Sequence, residues 1–125
     1  MSTHVDLIAE MTQQFRPLLD SSPDGVYLWV DEETKVCNEN LARMFGYTID
    51  EWRGTQPFLD NFVAPDDREL YSWNYHRCVA QLAFPVTFRF RGQRKDGSTF
   101  AAETDMIPIS WGGHPVAYHF VRRLG

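Results

Sequence analysis

Phe84-Pro85-Val86-Thr87-Phe88-Arg89-Phe90-Arg91-Gly92-Gln93-Arg94-Lys95-Asp96-Gly97-Ser98 decides how this chain folds. Phe84, Val86, Phe88 and Phe90 alternate with Pro85, Thr87, Arg89 and Arg91, the period of a strand with one buried and one wet face. Asp96-Gly97 fits the positive φ angles of a tight hairpin, so a second strand returns over about Ser98 to Ile109. Trp111-Gly112-Gly113-His114 makes another turn, and Val116 to Arg122 supplies a third strand of the same meander.

Upstream the pattern is helical first. From about Val5 to Leu19 the apolar residues Leu7, Ile8, Met11, Phe15, Leu18 and Leu19 recur near the helical period, with Pro17 expected to end or kink the helix. Ser21-Ser22-Pro23-Asp24-Gly25 is a cluster of turn formers. Val26-Tyr27-Leu28-Trp29-Val30 and Thr34-Lys35-Val36-Cys37 then read as a hairpin. Asn38 is placed to cap a helix carrying Leu41, Met44 and Phe45 and closed by Gly46. Thr48 and Glu51 have capping-box spacing for a further turn that Gly54 stops. Pro57 to Val63 fits a helical turn or a buried loop equally well, and Pro65-Asp66-Asp67 opens a longer helix to about Gln81.

Composition narrows the function. A chain of 125 residues with 43% hydrophobic content is sized for one core. A formal charge of −5 repels the phosphates of nucleic acid. No apolar run approaches the roughly 20 residues of a membrane span, and Met1-Ser2-Thr3-His4-Val5-Asp6 is not the start of a secretory signal, so the sequence reads as cytoplasmic. Cys37 and Cys78 lack CxxC spacing and read as thiols, with no disulfide and no metal site. His76 and Cys78 diverge by roughly 200° on a helix and form no dyad. Nucleophile elbow, metal spacing and phosphate loop are all lacking, so no catalytic residue is assigned and the chain reads as a non-enzyme.

Ser22-Pro23-Asp24-Gly25-Val26, Asn38 through Gly46-Tyr47, Glu51-Trp52-Arg53-Gly54, Pro65-Asp66-Asp67 and Gly92 through Ser98 stand in one order that resembles the PAS family of sensor domains, from about Leu18 to Leu124. The resemblance implies an α+β fold: a five-stranded antiparallel sheet in the order 2-1-5-4-3, short helices closing one face over a pocket, and the N-terminal amphipathic helix outside it. Residues 1–20 would be that cap helix and residues 21–125 the PAS domain. It also implies a sensory module of a signal-transduction protein, such as a two-component system. Such a module commonly forms a homodimer and works with an output domain such as a histidine kinase or cyclic-dinucleotide enzyme. A ligand-free dimerisation scaffold and, with least support, a small α+β enzyme stand as alternatives.

Aligned to the family, the pocket side holds Val26 and Leu28, then Phe84, Val86, Phe88 and Phe90, then Phe100, Ala102, Thr104 and Met106, then Ala117, His119 and Val121. Tyr27, Trp29, Tyr118 and Phe120 are expected on the other side, forming an interface with Leu7, Met11 and Phe15 of the first helix, within the chain or across a dimer. Candidate ligand contacts are Asn40, Trp73, His76, Phe88, Thr104, Met106 and His119, with Thr104, a water or a ligand as the partner of a buried His119. Haem is disfavoured, since Arg68 or Glu69 stands where haem-binding relatives place a histidine and Phe88 where oxygen sensors place an arginine. The photoreactive cysteine segment of covalent flavin sensors is missing. A non-covalent flavin, stacked on Trp73 and Phe88, or a small metabolite stays open. Glu51 and Lys95 match positions that pair in some relatives, and Arg123 replaces the acidic residue that usually couples the last strand to an output helix.

Overall fold

In the computed structural model, which describes residues 4–78, 85–111 and 113–124 apart from the side chains of residues 4–8, 78, 111 and 114, eleven elements follow one another. They are α1 (His4–Ser21), β1 (Gly25–Trp29), β2 (Lys35–Cys37), α2 (Glu39–Met44), α3 (Ile49–Gly54), α4 (Phe58–Phe62), a 3-10 turn (Pro65–Asp67), α5 (Arg68–Cys78), β3 (Val86–Gln93), β4 (Thr99–Trp111) and β5 (His114–Arg123). The strands form one sheet in the order β2-β1-β5-β4-β3, each described pairing antiparallel, as expected. Leu7 lies in α1, but its side chain, like all of Phe84 and the expected end of the long helix near Gln81, falls outside the described residues.

Local chemistry explains the helix boundaries. Asn38 caps α2 by accepting from the Leu41 amide (2.9 Å), and the same Oδ1 accepts from the Val26 amide (3.0 Å). One buried side chain thus ties the first strand to the first helix of the cap. Thr48 and Glu51 form the expected capping box at α3. The stretch from Pro57 resolves as a helix whose first amide, on Phe58, donates to both carboxylate oxygens of Glu32 (2.8 and 3.1 Å). Pro17 does not end α1, which continues to Ser21. The proline is solvent-exposed, and so is Gln13, whose carbonyl loses its intrahelical partner; water can satisfy it there. At Gly92 in β3 a Cβ would sit 2.6 Å from the Phe100 ring, so that position requires glycine.

Two cores lie on opposite sides of the sheet. The inner one, beneath α2 to α5, gathers Tyr27, Leu41, Phe45, Trp52, Phe58, Phe62, Tyr71, Phe90, Phe100, Met106 and Val121. The outer one, beneath α1, gathers Met11, Leu19, Val26, Leu28, Val36, Val116 and Tyr118. This corrects the expected faces of β1: Tyr27 and Trp29 point to the helical cap, whereas Val26 and Leu28 point to α1. The reason is register. Tyr27 lies opposite His119 and Leu28 opposite Tyr118, and residues directly opposite in an antiparallel pair share a face. Every residue of Val26-Tyr27-Leu28-Trp29-Val30 is apolar or aromatic, so periodicity alone gives this strand no inside, and an error of one residue exchanges the faces completely.

Candidate functional site

The inner core is not filled to its rim. Between the β1–β2 hairpin, α4 and α5 lies a cleft of about 410 Å³ with His119 of β5 among its lining residues. Tyr27, Trp29, Phe58, Tyr71 and Tyr75 contribute its aromatic walls, and Asp31, Glu32, Asp60, Ser72 and His76 also line it. The walls brace one another. Trp29 meets Phe58 and Tyr75 edge-on at 5.1 and 6.3 Å, Phe58 contacts Tyr71 at 5.5 Å, and the Tyr27 and Tyr71 hydroxyls touch. Lys35, 1% exposed, lies behind the wall; its Nζ is 5.7 Å from the Trp29 ring centre and donates to the Glu32 carbonyl (2.5 Å). Burial lowers its pKa, against the pull of Glu32 and Asp31.

His119 is the chemical centre of this cleft. Its ring stacks on Tyr27 at 3.8 Å and 10°, directly opposite in the sheet, and runs parallel to the Tyr71 ring at 6.3 Å. Its Nδ1 lies 3.2 Å from the Ala117 carbonyl, and its buried Nε2 has no partner among the described residues. Burial pushes the imidazole pKa down to about 3, only partly opposed by the Ala117 carbonyl, so the ring is neutral at pH 7. Burial also raises the Tyr71 and Tyr75 pKa values, which keeps both phenols protonated.

The expected ligand contacts divide into three groups. His119 lines the cleft, and Met106, Thr104 and Phe88 belong to the adjoining inner sheet face, Met106 opposite His119 and Thr104 opposite Phe88. Thr104 is not the partner of His119: its Oγ1 contacts the Asp105 carbonyl (3.5 Å). His76 lies exposed at the rim. Asn40 and Trp73 lie outside altogether. Asn40 donates to the Ser22 carbonyl (3.0 Å) beside a separate crevice of about 320 Å³ on the α1 side. Trp73 is 55% exposed on the far side of α5 with the Arg77 guanidinium over its ring, so it cannot stack on a ligand held within. Burial pushes the Cys37 thiol up to about 12, which leaves it unreactive.

Tyr27, Trp29, Phe58, Tyr71 and Tyr75 were not expected at a ligand site. The all-apolar β1 pattern hides that Tyr27 and Trp29 face the cap. Tyr71 and Tyr75 are four apart on α5 and so share a side, but Leu70 and Trp73 on its exposed face blur the apolar stripe. Met11 is fully buried on the outer face, Phe15 meets Tyr118 at 6.1 Å, and Phe120 contacts Tyr118 at 4.8 Å. Tyr27 and Trp29 are removed from that surface by the register of β1.

A family model described as the PAS fold matches residues 34–122. The chain belongs to the PAS fold family. Solved structures agree in fold. A PAS domain from a two-component sensor histidine kinase superposes with a TM-score of 0.70 at 18% identity, covering 93% of this chain and 99% of that one. The PAS domain of an HTR-like protein from Haloarcula marismortui gives 0.69 at 19%, covering 94% of each. A Rhodobacter sphaeroides LOV protein gives 0.73 at 18%, covering 94% of this chain and 68% of that one. No curated protein matches the chain. Among the described residues of this PAS domain, no helix is long and apolar enough to cross a membrane and no group of three or more His, Cys, Asp or Glu could hold a metal. The Lys95 ammonium pairs with the Glu51 carboxylate across the cap, as the family resemblance implied.

Proposed function

We propose that this PAS domain is the sensory module of a signal-transduction protein, binding a small molecule in the cleft over His119 and performing no catalysis itself. The carrying observation is His119, which lines the cleft and whose buried Nε2 has no partner among the described residues. Leaving such a group unsatisfied costs about 1–3 kcal/mol, and a bound ligand would recover part of that. The cleft volume lies within the roughly 300–1,000 Å³ common for ligand sites.

Residues 1–20 act as the cap helix and residues 21–125 as the sensing domain of a cytoplasmic protein. Occupancy would be relayed through β5 and α1 to an output domain such as a histidine kinase or a cyclic-dinucleotide enzyme, in the same protein or in trans. A homodimer through the outer face is supported by the half-buried Phe15, Leu18, Ile107, Ile109 and Phe120 around α1. Light scattering of the purified chain tests it, with a monomer at every concentration counting against it.

Native mass spectrometry with an absorption spectrum of freshly purified protein tests the ligand reading. A co-purifying mass, or a thermal shift with at least one member of a metabolite panel, is expected. A bare chain that no metabolite stabilises favours the ligand-free scaffold instead.

A further inference from the structure

We propose, on the footing that this cleft is a ligand site, that it takes a small planar nitrogen heterocycle, neutral or cationic, which donates an N–H to Nε2 of His119. The hydrogen-bond polarity follows from the far side of the ring. Among the described residues, His119 makes its polar contact through Nδ1, 3.2 Å from the Ala117 carbonyl. A carbonyl oxygen can only accept, so Nδ1 carries the hydrogen. With the opposite tautomer, two lone pairs would face each other there. A neutral imidazole has one ring hydrogen, and the buried Nε2 of this cleft-lining residue therefore carries a bare lone pair. The group that satisfies it is a donor; an acceptor oxygen would be repelled.

Shape selects a plane. The Tyr27 and His119 rings already stack on each other at 3.8 Å, which leaves Trp29, Phe58, Tyr71 and Tyr75 as the aromatic surfaces of the lining. Flat π-systems gain from stacked or edge-on contact with such walls, and a cation gains from their faces. Charge removes anions. Asp31, Glu32 and Asp60 line the cleft without a lysine or arginine among the lining residues. Two cations bonded to lining residues are already engaged: Lys35 donates to the Glu32 carbonyl, and Arg68 donates to the Leu59, Val63 and Asp60 carbonyls. A carboxylate or phosphate ligand would meet carboxylates and find no guanidinium fork. A phosphate-bearing flavin is disfavoured on the same ground.

The first test needs no ligand. Long-range 1H–15N correlation of the labelled wild-type chain should show His119 as the Nδ1–H tautomer, with Nε2 at the shift of an unprotonated imidazole nitrogen at pH 7. A protonated Nε2 overturns the proposal. The second test titrates four probes: benzimidazole, 1-methylbenzimidazole, 2-aminobenzimidazole and benzimidazole-5-carboxylate. Benzimidazole and 2-aminobenzimidazole should bind about tenfold more tightly than the N-methyl analogue, the equivalent of one hydrogen bond. They should also move the His119 Nε2 resonance, and the carboxylate should bind least. Equal binding of the N-methyl analogue, or preference for the carboxylate, overturns the proposal. His119→Leu should erase the discrimination between benzimidazole and its N-methyl analogue. If all four probes fail while another molecule co-purifies in the cleft, the ligand class is wrong and the sensor reading stands. If all four fail and the chain is bare and unresponsive to metabolites, both fall.

Discussion

The two faces of one sheet do different work. Under α1, Val26, Leu28 and Val116 are fully buried among other aliphatic side chains, and Tyr118 meets Phe15. Under the helical cap the sheet presents Tyr27, Trp29, Met106 and His119 to aromatic rings and a cleft, and Nε2 of His119 has no partner among the described residues. The outer face is built to stay shut and the inner face to accept something. The difference arises from alternation: neighbouring residues of β1 and β5 serve opposite purposes, so a packing residue and a binding residue are one position apart.

Substitutions in the two faces should therefore separate stability from binding. Leu28→Ala, on the outer face, should cost about 2–5 kcal/mol in urea unfolding, because it leaves a cavity in a closed aliphatic core. If the loss is under about 1 kcal/mol, the outer face is not the tightly packed side. On the inner face His119→Leu should raise stability at pH 7 by about 1–3 kcal/mol, since a buried unpaired polar atom is removed, while abolishing the preference for N–H ligands. A destabilised His119→Leu variant would mean that the Nδ1 contact with Ala117 and the stack on Tyr27 outweigh the unpaired Nε2.

Acid should expose the same asymmetry. With its pKa at about 3 in the fold against 6.5 when unfolded, His119 binds a proton in the unfolded chain that the folded chain refuses. Stability from this group is therefore full above 6.5 and falls as the pH drops toward 3. Asp105 and Glu103, held low chiefly by hydrogen bonds from Arg122, lose their contribution only as pH falls below their ordinary values of 3.8 and 4.5. Comparing urea midpoints at pH 7 and pH 5 in the wild-type chain and in His119→Leu reads the share of His119, and the variant should show the smaller difference. An equal drop in the variant would assign the acid sensitivity elsewhere.

Smaller effects are expected at the rim. Tyr75→Ala should change stability by about 1 kcal/mol or less, because the ring is half-exposed at the mouth of the cleft, yet it should weaken binding of planar probes. Glu51→Gln breaks an exposed pair with Lys95 and should leave both the melting midpoint and probe affinity unchanged. A rim substitution that unfolds the chain, or an outer-face substitution that alters only affinity, would break the division between the faces.

Most of the fold was legible because its signals are local. The alternation of Val86, Phe88 and Phe90, the Asp96-Gly97 turn, the Asn38 cap and the Thr48/Glu51 box are each readable within a few residues. The site was only partly legible. His119 and Met106 follow from the alternation of β4 and β5, whereas β1 is apolar on both faces and its orientation is fixed by pairing with the distant β5, Tyr27 opposite His119. Likewise α5 carries aromatic residues on both sides, so Trp73 was expected within the pocket and Tyr71 was overlooked. The Glu32 carboxylate at the α4 amide joins segments 26 residues apart, beyond the reach of any local motif.

The most direct test of the whole account is a backbone and side-chain NMR titration of the purified chain with benzimidazole. Perturbations should concentrate at Tyr27, Trp29, Phe58, Tyr71, Tyr75 and His119, with Met11, Leu28 and Val116 unmoved. Perturbations centred on the outer face, or in the crevice beside Arg16 and Arg53, would contradict the assignment of the inner cleft as the binding site.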